Sequence, residues 1–360
     1  MKQNFIFILL LSAMVVFLSA CNQGAENRAD QPIAVKCEYQ TNPMGLDVKQ
    51  PRFSWMVNDQ SRGAVQTAYQ ILVASNLDIL ARDEGDVWDS GMVDSDQSQL
   101  VTFDGAPLES KTRYFWKVRT WNREGNPSEY SQPAWWEMGL LSPGDWQAEW
   151  IGKDEVGRPP RSVMLRKEFA VEGGINKARL YITGLGNYIA YINGKRVGND
   201  MLTPGWTDYP TKVQYQTYDV TSMLKEGENV IGAVLGNMWW SSGLGWQGGA
   251  TYSDGPLRLL AQLEIDSGEE NLMIVTDDSW SLSHSPYLEN TIYHGVTYDA
   301  QMEQPGWNEA GFNEGSWEKA TLINDEGRKL VAQQGPPIRV TERREPVAIR
   351  EVKPGIQLFD

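Results

Sequence analysis

The chain has 360 residues, with 47 acidic against 32 basic side chains and a formal net charge of -15. That balance excludes nucleic acid and anionic lipid as partners, since both are held through clustered positive charge; the one Arg pair, Arg343-Arg344, stands between Glu342 and Glu345 and reads as solvated surface. The 15 Trp and 14 Tyr point instead to large β cores and to flat faces that can stack on sugar rings.

At the N-terminus, Met1, Lys2 and Gln3 form a short positive region, and 5–18 is almost unbroken apolar. This is the length of a signal-peptide core and too short to span a bilayer. The core runs into Leu18-Ser19-Ala20-Cys21, which resembles the lipobox of bacterial lipoproteins. The resemblance implies cleavage before Cys21, acylation of its sulfur, and a chain lipid-anchored in the bacterial cell envelope, facing periplasm or cell surface, with membrane contact through that anchor only. Residues 1–20 are expected as the lipoprotein signal peptide and 21–32, which is polar up to its last residues, as a tether. Cys37 is then left without a disulfide partner; its alternating context, Ala34 to Tyr39, predicts a buried strand thiol rather than a reactive one.

Short segments of period two follow at 51–57, 69–75, 99–103, 113–120 and 134–139, separated by stretches rich in Gly, Asp, Asn and Ser. In 113–120, Tyr114, Trp116, Val118 and Thr120 alternate with Arg113, Lys117 and Arg119, which predicts a half-buried strand with Lys117 facing outward. Regular short strands over about a hundred residues predict a sandwich. The stretch "PLESKTRYFWKVRTW" resembles the end of a fibronectin type III domain, with Leu108, Thr112, Tyr114 and Val118 in that family's places. Such a domain is expected over 33–141, in the role of spacer or docking module, because the fold itself carries no chemistry.

"SPGDWQAEWIG", 142–152, is a Pro-Gly junction whose Trp146 and Trp150 are expected to anchor one domain to the next. Beyond it, 165–171, 178–183, 188–193, 213–220, 229–235, 257–265 and 272–276 are strand-like, too many and too long for another small sandwich. They predict a jelly roll of two packed sheets over 142–337. Residues 338–360 begin further strands without reaching the size of a domain, an incomplete third β segment. The fold class is all-β.

In order, "NPMGLDVKQPRFSW", "AYQILVAS", "VWDSGMV", "TRYFWKVRTW", "EMGLL", "INGKRVG", "LTPGWTDY", "QYQTYDVT" and "GPPIRV" resemble the N-terminal part of bacterial α-L-rhamnosidases of glycoside hydrolase family 78. The resemblance implies a fibronectin-like domain, a jelly-roll module, a further β-sandwich, an (α/α)6 barrel that carries the active site, and a C-terminal β domain. The barrel is expected beyond Asp360, so no catalytic residue is carried over. Inverting hydrolysis needs an acid and a base carboxyl roughly 6.5 to 9.5 Å apart; Asp277-Asp278 and Glu269-Glu270 sit beside turn signals and read as solvated. His284 and His294 lack the spacing of a zinc site, and the Gly-rich run 243–255 has no phosphate-loop signature and reads as a flexible β loop.

Asn193-Gly194 predicts a type I′ hairpin, because both turn positions favour positive φ. Pro204-Gly205-Trp206-Thr207-Asp208-Tyr209 is different: a turn presents a large aromatic among polar neighbours, suited to stack on a pyranose while Asp accepts hydroxyl hydrogens. Ordinary core or edge packing of Trp206 and Trp239 is the competing reading. The resemblance implies a carbohydrate-binding module, some members of which hold L-rhamnose with calcium, a cation suited to loop amide and backbone oxygens. The loops nearest that pattern give Asn187, Trp206, Asp208, Asn237 and Trp239 as carbohydrate-binding candidates and Asn187 and Asn237 as metal candidates, with calcium as the implied cofactor. The pattern is matched incompletely: Met238-Trp239 stands where the family has Gly-Trp, Gly295-Val296 where it has Gly-Glu, and Gln301 where an Arg is common. The expected function is an accessory N-terminal region of an α-L-rhamnosidase-like lipoprotein, non-catalytic alone, with calcium-assisted binding of plant or microbial glycans containing L-rhamnose, and with the missing catalytic portion as a further partner. Two alternatives stay open: part of an active α-L-rhamnosidase completed by missing or adjacent sequence, and a purely structural surface lipoprotein.

Overall fold

A computed structural model describes residues 29–59, 62–155, 160–244, 252–253, 255–268, 270–324 and 327–360. The signal peptide, Cys21, most of the tether, Glu269 and most of the Gly-rich run lie outside the described residues. The described chain forms two compact units, one of 29–43 with 48–138 and the other of 44–47 with 139–360.

In the first unit Arg52–Met56 pairs with Ile33–Cys37 on one side and Val101–Thr102 on the other. A second sheet runs Ala134–Met138, Arg113–Trp121, Ala68–Ala74, Trp88–Asp89, with Val93–Asp94 also on Ala68–Ala74. Aromatic rings fill the core: Phe53 lies 4.4 Å from Trp116 and 5.3 Å from Trp136, and all three are buried. Tyr114, Trp116, Val118 and Thr120 face inward as the alternation requires, and Cys37 is buried, its thiol pushed up by burial and by the neighbouring Glu38. Lys117 corrects the outward expectation. The short helix Leu77–Ala81, capped by Asn76, covers that face, and Lys117 Nζ donates to Leu80 O at 2.5 Å and to the Asp83 carboxylate. The segment 99–103 pairs only over Val101–Thr102, because Leu100 sits at φ 55 and turns its N–H to the Ser54 hydroxyl at 2.9 Å.

The second unit is a sandwich of two larger sheets. One runs Thr321–Leu322, Ile151–Gly152, Arg258–Asp266, Lys177–Leu185, Lys212–Asp219, Lys329–Ala332, with Asn271–Val275 also on Arg258–Asp266. The other runs Lys195–Arg196, Asn187–Ile192, Gly227–Gly236, Val163–Val171, Ser281–His284, Glu318–Lys319. Between them Leu180, Ile182, Leu259 and Leu263 share one apolar cluster with Leu165, Ile231, Ala233 and Leu282. Asn193 and Gly194 take φ 50 and 78, the left-handed pair of a type I′ turn, and join Asn187–Ile192 to Lys195–Arg196. Trp146 and Trp150 both pack within this unit, Trp146 edge-on to Tyr215 at 5.3 Å and Trp150 in the main core. Residues 338–360 form a short hairpin, Ile349–Lys353 with Ile356–Phe359, exposed along its whole length.

Arg166, fully buried on the outer face of the second sheet, holds a long loop against that face. Its guanidinium donates to the carboxylate of Glu314, to Glu168 Oε1 at 2.5 Å and to Glu309 O at 3.0 Å, and the Phe312 ring lies 5.5 Å away. Trp307 in the same loop packs 5.6 Å from Tyr191 and so close to Gly232 that a Cβ there would lie 2.8 Å from the indole. Truncating one partner of a buried ion pair costs about 3 to 5 kcal/mol, while replacing all the charged partners together by apolar residues of similar volume costs much less. Arg166→Ala is therefore expected to lower unfolding stability by that order, and Arg166→Met combined with Glu168→Leu and Glu314→Leu by clearly less, read by equilibrium urea unfolding.

Candidate functional site

One end of the second sheet gathers most of the candidate residues. Asn187 opens its strand directly opposite Gly236, the last residue of Gly227–Gly236, and the chain then continues into Asn237 and the single helical turn Met238–Ser241. Gly236 lacks room for a side chain: a Cβ would lie 2.4 Å from Asn187 Oδ1 and 2.9 and 3.0 Å from Cγ and Nδ2 of Asn290. Both amide side chains press onto this backbone. The Oδ1 atoms of Asn187, Asn237 and Asn290 are all buried and, among the described residues, without a hydrogen-bond donor. Asn237 is held in place through its other end, Nδ2 donating to Pro160 O at 2.6 Å and to Ser241 Oγ at 3.3 Å. A buried acceptor left unpaired costs roughly 1 to 3 kcal/mol, so three at one strand end are open to an ordered water, a ligand hydroxyl or a cation.

The loop carrying Trp206 lies along the same strand. Tyr188 N donates to Thr203 O at 3.0 Å and Thr203 Oγ1 returns a bond to Tyr188 O at 2.9 Å. Gly205, at φ 97, turns the chain so that Trp206 emerges 55% exposed. Its ring stacks on Trp239 at 5.9 Å and 14°, and its Nε1 donates to Tyr252 Oη at 2.9 Å. Beneath this pair the packing closes: Trp240 is buried, Tyr209 meets it edge-on at 5.6 Å, and the Arg328 guanidinium lies 5.4 Å from the Trp240 ring centre. Exposure falls from Trp206 to the half-buried Trp239 stacked on it and to the buried Trp240 that follows in the chain.

The structure thus brings Trp206 together with Trp239, and sets Asn187 beside Asn237 through Gly236. Asp208 is exposed and closes its own turn. Its carbonyl accepts from Thr211 N and Lys212 N, both at 2.9 Å, and its Oδ2 from the Thr211 hydroxyl at 3.0 Å, closing the turn into Lys212–Asp219. Asn290, on the strand Tyr287–Thr291, is a site residue that sequence reasoning missed. The neutral amide oxygens of Asn187, Asn237 and Asn290 are of the donor type calcium accepts. Among the described residues no group of three or more His, Cys, Asp or Glu is placed to hold a metal ion, so the fit is one of donor type without ligand charge. Asp277 takes a bond from Lys167 Nζ at 3.0 Å; burial pushes its pKa up, but Ser279 and Lys167 more than offset this and hold it below the usual carboxylate range. That is the role of a turn anchor. His284 and His294 lie 3.4 Å from Glu155 and Glu289 respectively.

The grading of the stack predicts a contrast in stability. Trp206→Ala removes a mostly solvated ring and is expected to shift the thermal midpoint by no more than a few degrees, whereas Trp240→Ala opens the core and costs about 3 to 5 kcal/mol. Differential scanning calorimetry of the two variants reads both.

Comparison with known proteins follows the same division of the chain. Residues 173–342 match the alpha-L-rhamnosidase N-terminal domain family and residues 32–142 the Rha78A-like N-terminal immunoglobulin domain. An alpha-L-rhamnosidase of Formosa agariphila is 31% identical over 100% of this chain and 41% of its own length. The structure of the alpha-L-rhamnosidase from Dictyoglumus thermophilum superposes with a TM-score of 0.82 at 37% identity, over 92% of this chain and 38% of that one. That of Streptomyces avermitilis alpha-L-rhamnosidase, complexed with L-rhamnose, superposes with a TM-score of 0.83 at 26% identity, over 92% of this chain and 48% of that one. The chain spans less than half the length of the relatives it matches, from 35% to 48% of the curated ones.

Proposed function

We propose, from the premise that the chain belongs to the α-L-rhamnosidases of glycoside hydrolase family 78 through its two N-terminal domains, that it serves as an accessory, carbohydrate-binding region for glycans containing L-rhamnose. The observation that carries this reading is the exposed Trp206, backed by Trp239, at the same sheet end as three amide oxygens that lack donors. A pyranose offers what each part wants: an apolar ring face for the indole, and hydroxyl hydrogens for the amide oxygens. Asn187 and Asn237, with Asn290, would hold calcium if it binds, and the ion would supply the positive charge that draws sugar hydroxyl oxygens to this end of the sheet. The hydrolytic step is assigned to a part of the family's architecture outside these domains, because Asp277 is held in its turn by Lys167 and Ser279 and both Asp278 and Glu270 are exposed.

Binding of L-rhamnose by the full chain is expected to be weak, with a dissociation constant of about 0.1 to 1 mM, or about 4 to 5.5 kcal/mol, as suits a monosaccharide on one aromatic and a few hydrogen bonds. Titration calorimetry should show at least a tenfold loss in Trp206→Ala, and a further loss with chelator only if calcium bridges protein and sugar. No heat of binding from folded wild type would leave the structural-lipoprotein reading in its place.

The lipid anchor is proposed on the Leu18-Ser19-Ala20-Cys21 stretch alone. Cys21→Ser is expected to accumulate as an unprocessed precursor without palmitate label, since acylation requires the thiol; normal processing of that variant would end the claim.

A further inference from the structure

A second cavity, of about 430 Å3, opens on the other flank of the same segment that carries Pro160. It lies between the strand Ser281–His284 and the loop that Arg166 clamps, and Arg161, His284, Gln301, Glu303, Ser316 and Glu318 line it. Its volume falls in the range of about 300 to 1,000 Å3 typical of small-molecule sites. Much of the wall is held by bonds of its own. Tyr298 Oη donates to Glu303 Oε1 at 2.7 Å and Lys153 pairs with Glu318. Gln304, also in the lining, donates to Ser283 Oγ at 3.2 Å and accepts from Trp317 Nε1 at 2.8 Å. Other groups are left open. Among the described residues the Arg161 guanidinium has only a long contact with Met302 Sδ at 3.9 Å, and the side chains of Gln301 and Ser316 make no hydrogen bond.

The charges around this space decide what it can take. An anion would meet Glu303 and Glu318 with Glu155 behind His284; a divalent cation would meet Arg161 and Lys153. His284 adds no charge at neutral pH, because burial and then the Arg161 charge push its pKa down, more than Glu155 raises it. What remains is a wall of interleaved donors (Arg161, the Gln301 amide, the Ser316 hydroxyl) and acceptors (Glu303, Glu318, the Gln301 carbonyl). That pattern suits an uncharged ligand whose groups each donate and accept, which is the chemistry of a polyol. The cavity also adjoins the amide cradle through the backbone: Pro160 O takes the bond from Asn237 Nδ2, and Arg161 is the next residue.

We propose that this cavity is a second saccharide site for a neutral sugar, separate from the Trp206 rim and flanking the same sheet end. It borrows from the proposed function only the class of ligand. The chain has 2 His, so its imidazole resonances report on few places, His284 in the cavity wall and His294, 71% exposed, as the internal control. With L-rhamnose as the probe, titration of the full chain followed by NMR is expected to shift the His284 ring resonances in saturable fashion and leave those of His294 in place. Arg161→Ala combined with Gln301→Ala, both exposed positions that leave the core intact, should weaken that response at least tenfold, as should Ser316→Trp by filling the space. Trp206→Ala should leave it unchanged. His284 unmoved in folded wild type, or a response that the cavity variants leave intact, overturns the second site. A larger His284 shift with sodium sulfate than with L-rhamnose overturns its ligand class. The rim is judged separately by calorimetry: if Trp206→Ala does not alter affinity while His284 still responds, the rim reading fails and the cavity stands.

Discussion

Gly236 has no side chain, and the space this leaves is taken by the amides of Asn187 and Asn290. A Cβ here would turn those amide ends out of their present positions, and the backbone pairing of Asn187 with Gly236 is the last rung between the two strands. The rest of the site follows from that rung. It fixes where Asn187–Ile192 starts, hence where Tyr188 exchanges bonds with Thr203, and hence where the Pro204-Gly205 turn delivers Trp206. On the other strand it fixes where the chain turns into Asn237 and the helical turn bearing Trp239 and Trp240.

A binding surface must expose apolar area without unfolding the domain that carries it, and the aromatic stack resolves this by depth. Trp240 and Tyr209 belong to the buried layer and take their polar atoms to backbone carbonyls, Trp240 Nε1 to Pro256 O at 3.3 Å and Tyr209 Oη to Gly205 O at 3.0 Å. Trp239 is half-buried, and Trp206, stacked on it, is the most exposed of the three. The opposite flank of the sheet is secured by other means. Arg166 gathers Glu168, Glu314 and the Glu309 carbonyl, so the loop that walls the second cavity is pinned by a buried cation rather than by apolar contact alone.

Local patterns in the chain announced most of the fold. Alternation placed Tyr114, Trp116 and Val118 inward, and Asn193-Gly194 announced its own turn. Contacts between distant segments were not legible. Lys117 reads as a surface residue until the helix Leu77–Ala81 covers it, and Leu100 reads as strand until its N–H turns to the Ser54 hydroxyl. The site shows the same division. Trp206 and Trp239 were visible as aromatics beside turn residues, and Asn187 and Asn237 through family likeness. Asn290 carries no signal, because only the fold brings Tyr287–Thr291 beside Gly236. Asp208 reads as a sugar ligand because an Asp beside an exposed Trp suits one, and in the structure this exposed residue also closes its own turn on Thr211.

Whether the end of the sheet around Gly236 receives a sugar can be seen in a crystal of the full chain soaked in L-rhamnose and refined against an unsoaked one. The expected result is a pyranose ring in van der Waals contact, about 4 Å, with the open face of Trp206, and a hydroxyl or a calcium ion on the amide oxygens of Asn187, Asn237 or Asn290. An ordered rhamnose bound only elsewhere on the chain, with Trp206 solvated and the three amide oxygens still unpaired, would contradict it.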